Sequence, residues 1–271
     1  MEVKFLFWNT NKKKINDATC HIASEKNVDL LFLAEYEDNP SDLLLQLNAT
    51  RTMFHYITGI ANNKIHLFSK FGPSLIRISH EERGLIIWEL TLPNIFQWIL
   101  CGIHSRSKLH SSPQEQFQDS MIYSQSIRRA ENQLGHDSTI VFGDFNQNPF
   151  EQGLINAQAY NAVMSRTVAE KARRRFRNDS YPFFYNPSWS KFGDLTPGPP
   201  GSYYYSKGAV DEIYWNLFDQ IIMRPNMIPK FRHSSMEYIT ETRQIKISKE
   251  SGAPNAKHFS DHFPLYFEFD Y

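Results

Sequence analysis

Thr139-Ile140-Val141-Phe142-Gly143-Asp144-Phe145-Asn146-Gln147-Asn148-Pro149 is the stretch from which the rest of the chain can be read. Its β-branched and aromatic start carries no charge, which predicts a strand buried on both faces and ending at Gly143. An acid and an amide follow at alternate positions. Side chains of an extended chain point the same way every second residue, so Asp144 and Asn146 should project together from the strand's carboxyl end, and Pro149 forbids continuation. The plain alternative is a strand followed by an Asx-rich turn, because Gly, Asp, Asn and Pro are the usual turn formers. A second pair of this kind stands near the other end, in Ser260-Asp261-His262-Phe263-Pro264-Leu265-Tyr266-Phe267-Glu268-Phe269, where an acid and an imidazole precede a final strand. Two such pairs are harder to read as turns than one.

Outward from these stretches, hydrophobic period divides the chain. Residues 3–8 predict a strand, 12–26 a polar stretch with a loose helical stripe, and 29–35 a second buried strand ending in Glu35. That succession implies a parallel crossover, which places Asn9 and Glu35 at one carboxyl edge. Residues 41–49 suggest a short helix capped by Ser41, with Leu43, Leu44 and Leu47 inward. The period then shifts toward two: 54–60, 65–68, 75–79, 85–92 and 96–103 predict an antiparallel meander that delivers Ile103-His104-Ser105-Arg106. A histidine just past a strand is often only a surface residue. Residues 113–134 give the longest helix, with Phe117, Met121, Ile122 and Ile127 as apolar positions and Gly135 as its stop, leading into the Asp144 strand as a second crossover.

Residues 151–164 are expected to be helical. The run Lys171-Ala172-Arg173-Arg174-Arg175-Phe176-Arg177 concentrates positive charge, as a nucleic-acid contact or as a solvated helix face. The rings of Tyr181, Phe183, Phe184, Tyr185, Trp189, Tyr203, Tyr204 and Tyr205 follow, as packing or as stacking platforms. In 216–223 a strand carries the lone acid Asp219 among apolar neighbours, and a buried carboxylate needs a partner. Residues 230–250 read as a hairpin or excursion and 251–258 as a loop.

The chain has 271 residues, with 29 Lys+Arg against 29 Asp+Glu. That length suits one α/β domain over 1–271, and the zero net charge removes the simplest argument for a general nucleic-acid binder. No secretion signal and no membrane insertion are expected, because no apolar run is long enough. Cys20 and Cys101 form no metal spacing, which suits a reducing cytoplasm, with one disulfide still open.

Gly143-Asp144-Phe145-Asn146 followed by Ser260-Asp261-His262-Phe263-Pro264 resembles the endonuclease/exonuclease/phosphatase superfamily, which includes DNase I, abasic-site endonucleases, bacterial sphingomyelinases and inositol polyphosphate 5-phosphatases. The resemblance implies a four-layer α/β sandwich, two mixed β-sheets packed face to face with helices outside. It also implies site roles. Glu35 would hold a divalent cation, with Asn9 and Asp261 as direct or water-mediated ligands; oxygen donors without cysteine favour Mg²⁺, or Mn²⁺, over zinc. Asp144 would activate a water, Asn146 would hold that water or the phosphate, His262 paired with Asp219 would contact phosphate oxygens, and His104 would assist. Arg106, Arg173, Arg174 and Arg175 are candidate substrate contacts. Two departures stand out. Ala34 replaces the family's usual Gln, and the nearest counterpart of the acid that orients His104 in DNase I is Asn63. No match is offered for 171–216 or 230–258. The expected activity is a metal-dependent nuclease acting on DNA, or RNA, as a monomer. A phosphatase or phosphodiesterase on inositol phosphates, phospholipid headgroups or nucleotides is the first alternative, and a catalytically silent binding module the second.

Overall fold

The computed structural model describes residues 1–49, 53–59, 65–93, 96–208 and 210–271. The first half runs β1 (Glu2–Asn9), α1 (Asn16–Glu25), β2 (Leu30–Ala34), α2 (Pro40–Leu47), β3 (His55–Ile57), β4 (Ile65–Ser69), β5 (Ile76–Glu82), β6 (Leu85–Leu92), β7 (Phe96–His104) and α3 (Pro113–Leu134). The second runs β8 (Thr139–Asp144), α4 (Gln152–Ile155), β9 (Ala162–Val163), α5 (Arg166–Ala169), β10 (Arg173–Phe176), β11 (Asp179–Pro182), β12 (Phe184–Tyr185), β13 (Tyr203–Tyr204), β14 (Trp215–Asn216), β15 (Asp219–Met223), β16 (Glu237–Tyr238) and β17 (Leu265–Asp270).

Two mixed sheets carry the fold, ordered β16-β17-β1-β2-β4-β3 and β5-β6-β7-β8-β15-β12-β9. Both expected crossovers are present, since β1 pairs parallel with β2 and β7 parallel with β8. The sheets face each other through aromatic rings: Phe32 of the first lies 4.5 Å from Phe142 and 5.3 Å from Trp88 of the second. These strands read as uninterrupted apolar runs because both faces are covered; the outer face of the second sheet packs Ile87, Cys101 and Val141 against Tyr123 and Ile127 of α3. The architecture is the expected four-layer sandwich. Among the described residues no helix is long and apolar enough to cross a membrane. Cys20 and Cys101 are both free.

Register fixes the site. Asn9 lies opposite Ala34 on the first sheet, while His104, Asp144 and Asp219 form one row across three strands of the second. Gly143 makes this possible: at φ +140° any Cβ would lie 2.0 Å from the Ile103 carbonyl oxygen, so only glycine lets β8 approach β7 at its end. Helix α3 begins and stops where the sequence indicates, with a Ser112/Glu115 capping box, Pro113 in its first turn and Gly135 in the left-handed conformation. Its inward face is more polar than expected, however, for Gln116, Ser120 and Ser124 are buried and Ile122 is exposed.

Four local expectations need correction. Helix α2 is capped by Asn39, whose side chain accepts from the Ser41 amide, so it starts at Pro40. Of the helix expected over 151–164 only the short α4 forms, and Ala162–Val163 is strand β9. Asn156 Oδ1 then accepts from the Gln158 amide and Asn161 adopts a left-handed φ of +53°, which breaks the helix into turns. The basic run is not a helix face but an antiparallel ribbon, β10 paired with β11. The strand expected over 216–223 is divided, because Trp215–Asn216 pairs with β13 while β15 begins at Asp219. Residues 60 and 63 lie outside the described residues, so the end of the third expected strand and the Asn63 position carry no finding.

Candidate active site

Asp144 ends β8 with 1% of its surface exposed, and Asp219 opposite it is fully buried. His262, from the turn before β17, lies beside them: its Nδ1 is 2.7 Å from Asp219 Oδ2 and its Nε2 is 4.0 Å from Asp144 Oδ2. Burial alone would strip the imidazole of its proton, but the Asp219 and Asp144 charges outweigh it and raise the His262 pKa to about 10. The same burial pushes the Asp144 carboxyl above the usual carboxylate range, with the His262 charge opposing.

The amides order these acids. Asn9 Nδ2 donates to Asp144 Oδ2 at 2.9 Å and to Glu35 Oε1 at 3.4 Å, linking the edges of the two sheets. Asn146 donates its backbone N–H to Asp144 Oδ1 and its side-chain N–H to Asp144 Oδ2, which the left-handed φ of +50° at Asn146 permits. Glu35 also stands at a left-handed φ, +47°, held by the Thr10 hydroxyl donating to the Glu35 carbonyl at 2.9 Å. Such backbone costs about 1–3 kcal/mol per residue and persists where the surroundings impose it. Glu35 Oε1 meets His104 Nε2 at 3.1 Å. That bond, against burial and with the His104 charge, lowers the Glu35 pKa to about 2, so this carboxylate stays ionised.

Eight expected residues therefore converge: Asn9, Glu35, His104, Asp144, Asn146, Asp219 and His262 by direct contact, and Asp261 through Ser260. Ser260 Oγ donates to the Asn9 carbonyl at 2.5 Å and accepts the His262 amide at 3.0 Å, fixing the Asp261 segment against β1. Asn9 is placed here by its hydrogen bonds alone. Its nitrogen faces the acids and its oxygen accepts from the Asn11 amide at 3.0 Å, so it is a donor to carboxylates. Among the described residues, the acid in contact with His104 is Glu35, through Nε2.

The arginines do not join this group. Arg106 stands at the rim, but its guanidinium is bound by Asp119 at 2.6 and 2.9 Å and lies 3.6 Å from Glu115. Arg173, Arg174 and Arg175 leave from the opposite edge, because their ribbon enters the sheet through β12, where Tyr185 pairs with Met223 at the far end of β15. Tyr203, read from the sequence only as a packing ring or stacking platform, lies with its ring 4.7 Å from that of His262. Burial, with Asp261 and Asp144 nearby, raises its phenol pKa. Sequence reading missed Gln116, which donates to the Asn146 carbonyl at 3.1 Å and to that of Arg106 at 2.8 Å, holding the loop after β8.

Ligand atoms of Asp144, Asp219 and His262 lie within 4.8 Å of one another. This trio has the residue types of a metal site, and a metal there would compete with the proton that the Asp219 and Asp144 charges favour on His262. Glu35 is the better-suited ligand, being ionised and partly open, with its described side-chain bonds all on Oε1. Among the described residues, buried His104 Nδ1, Ser105 Oγ and Asp219 Oδ1 have no hydrogen-bond partner, so three polar atoms at this edge are left for a ligand or water.

The sequence pattern of the Endonuclease/Exonuclease/phosphatase family matches residues 6–262. The chain belongs to this family. Members of the endonuclease/exonuclease/phosphatase family are metal-dependent phosphoric ester hydrolases, and the two-sheet sandwich is the family's DNase I-like fold. Comparison with curated proteins yields no match. Among solved structures, truncated TDP2 from Caenorhabditis elegans is similar at 16% identity and a TM-score of 0.58, covering 100% of this chain and 98% of that one. TDP2 from D. rerio, complexed with a single-strand DNA product, gives 16% and 0.56 over 100% and 99%. The 3′ phosphatase NExo from Neisseria, bound to a product DNA hairpin, gives 15% and 0.55 over 99% and 100%. At these identities the likeness is one of fold.

Proposed function

We propose that this family member is a divalent-metal-dependent phosphodiesterase, a nuclease hydrolysing DNA or RNA by in-line attack of water. The observation that carries the reading is the convergence of a buried carboxylate-imidazole-carboxylate row and an ionised, half-open Glu35 at one edge of two packed sheets. Glu35 and Asp261 would hold Mg²⁺ or Mn²⁺, since both offer hard oxygen donors. When bound, the ion would neutralise a non-bridging phosphate oxygen.

The chain's own groups account for the rest. Asp144, raised by burial, accepts a proton from the attacking water, and Asn146 holds that carboxylate and the adjoining loop in place. The His262 imidazolium, compensated by Asp219, donates to phosphate oxygens as negative charge develops. Water adds to phosphorus, its proton passing to Asp144, as the bond to the leaving oxygen breaks; that oxygen takes a proton from solvent water, giving a phosphomonoester and an alcohol. His104 orients Glu35. The D. rerio TDP2 complex with a single-strand DNA product and the NExo complex with a product DNA hairpin support a nucleic-acid substrate. The test is purified protein incubated with plasmid, single-stranded DNA, RNA and a panel of phosphomonoesters and inositol phosphates, each with Mg²⁺, Mn²⁺ or chelator. Metal-dependent cleavage of a nucleic acid is expected; hydrolysis confined to phosphomonoesters would move the reading to a phosphatase, and no hydrolysis at all would end it.

A further inference from the structure

The ribbon that carries Arg173, Arg174 and Arg175 has no part in the site above, and its chemistry is unspent. Residues 171–182 hold Lys171, Arg173, Arg174, Arg175 and Arg177 against the single acid Asp179, in a chain of zero net charge. Among the described ion pairs none involves these five cations. Instead Arg174 stacks over Phe183 at 5.4 Å, Arg177 over Phe176 at 5.4 Å, and Arg173 donates to Ser180 Oγ at 3.0 Å. Stacking fixes a guanidinium plane while leaving its N–H edges for a ligand. The positive field extends to α3, where burial and the neighbouring charges of Arg224 and Arg173 depress the Arg128 pKa.

We propose that the β10–β11 ribbon is a second nucleic-acid contact, gripping phosphate backbone at the edge opposite the candidate active site. Arg173 and Arg175 face one side of the ribbon and Arg174 the other, by strand alternation. Charge on both faces suits a ligand that surrounds the ribbon, and a two-stranded ribbon has the section that a duplex major groove admits. The exposed Phe176 ring adds an apolar surface between the forks. A protein bearing acidic groups on one flat face would engage only the arginines of one side, Arg173 and Arg175 or Arg174. The ribbon joins the sheet at Tyr185, opposite Met223 and four residues from Asp219. At roughly 3.3 Å per residue that is about 13 Å, so a nucleic acid touching both places must extend at least about four base steps past the scissile bond. The inference deepens the nucleic-acid reading and rests on it for the link to turnover.

The test uses the full chain in chelator with a fluorescein-labelled DNA duplex of about 30 base pairs, followed by anisotropy across a salt series. The variant Arg173→Ala/Arg174→Ala/Arg175→Ala should bind at least about tenfold more weakly, with the slope of log K against log salt smaller by about 3, one for each phosphate no longer neutralised. Replacing the same residues by lysine should restore most of the slope. The alanine variant should keep the wild-type melting midpoint and its rate on bis(4-nitrophenyl) phosphate, which is too small to reach the ribbon. Affinity within twofold of wild type with an unchanged slope overturns the proposal, as does polyglutamate competing as well as DNA, which would mark an acidic-protein surface. If the protein hydrolyses no diester, the catalytic reading fails while the anisotropy result still decides the ribbon's.

Discussion

His262 lies between two carboxylates, and neither acid can be altered without changing its charge. In the metal-free protein its folded pKa, about 10, exceeds the ordinary 6.5. The interaction therefore stabilises the fold fully below pH 6.5, and that contribution is lost as pH rises through about 10. Imidazole resonances followed by NMR in chelator should show His262 protonated at pH 8; a midpoint near 6.5 would contradict the arrangement. Asp144→Asn and His262→Ala should each lower turnover at least about a thousandfold, through loss of the base in one and of charge stabilisation in the other, with circular dichroism unchanged. Wild-type rates from either variant would remove its role. At this scale the sequence is legible wherever function demands an unusual residue type at a strand end: Asp144, Asn146, Asp219 and His262 all announce themselves so. Thr10, Gln116 and Tyr203 do not, because a hydroxyl, a helical glutamine and a ring have ordinary uses everywhere.

Elements hold these residues through joints that hydropathy does not reveal. Arg224, 2% exposed at the end of β15, binds Glu131 of α3 at 2.8 and 3.0 Å and donates to the carbonyls of Pro182 and Phe183, while Thr139 of β8 donates to Glu131 at 2.7 Å. One ion pair thus ties α3, β8, β15 and the ribbon's base together. Arg224→Ala leaves Glu131 buried without its partner, so chemical denaturation should show a loss of about 3–5 kcal/mol; a loss under about 1 kcal/mol would mean the joint is dispensable. Helix α3 was readable from its caps and β1, β2, β7 and β8 from their apolar runs. The helix expected over 151–164 failed because Asn156 and Asn161 satisfy backbone groups with turns that periodicity does not detect.

For the whole molecule, the two crossovers stand as expected, since parallel pairs require long connections, but the single expected meander is divided. Strands β3 and β4 join the first sheet and β5, β6 and β7 the second, while β9, β12, β15, β16 and β17 are placed by neither pattern. What the pattern could not provide was the edge from which a loop leaves. Arg173 follows Asp144 with only the short α4, β9 and α5 between them, yet β12 runs antiparallel to β15, which carries the ribbon away from the site. The central claim is that Glu35 and Asp261 hold a divalent cation while His262 faces the phosphate. It is tested most directly by the anomalous-scattering map of an Asp144→Asn crystal grown with Mn²⁺ and a short DNA strand. The account predicts a manganese peak bonded to Glu35, with a DNA phosphate in hydrogen-bond reach of His262 Nε2. Manganese seated between Asp219 and His262, with Glu35 empty, would contradict it.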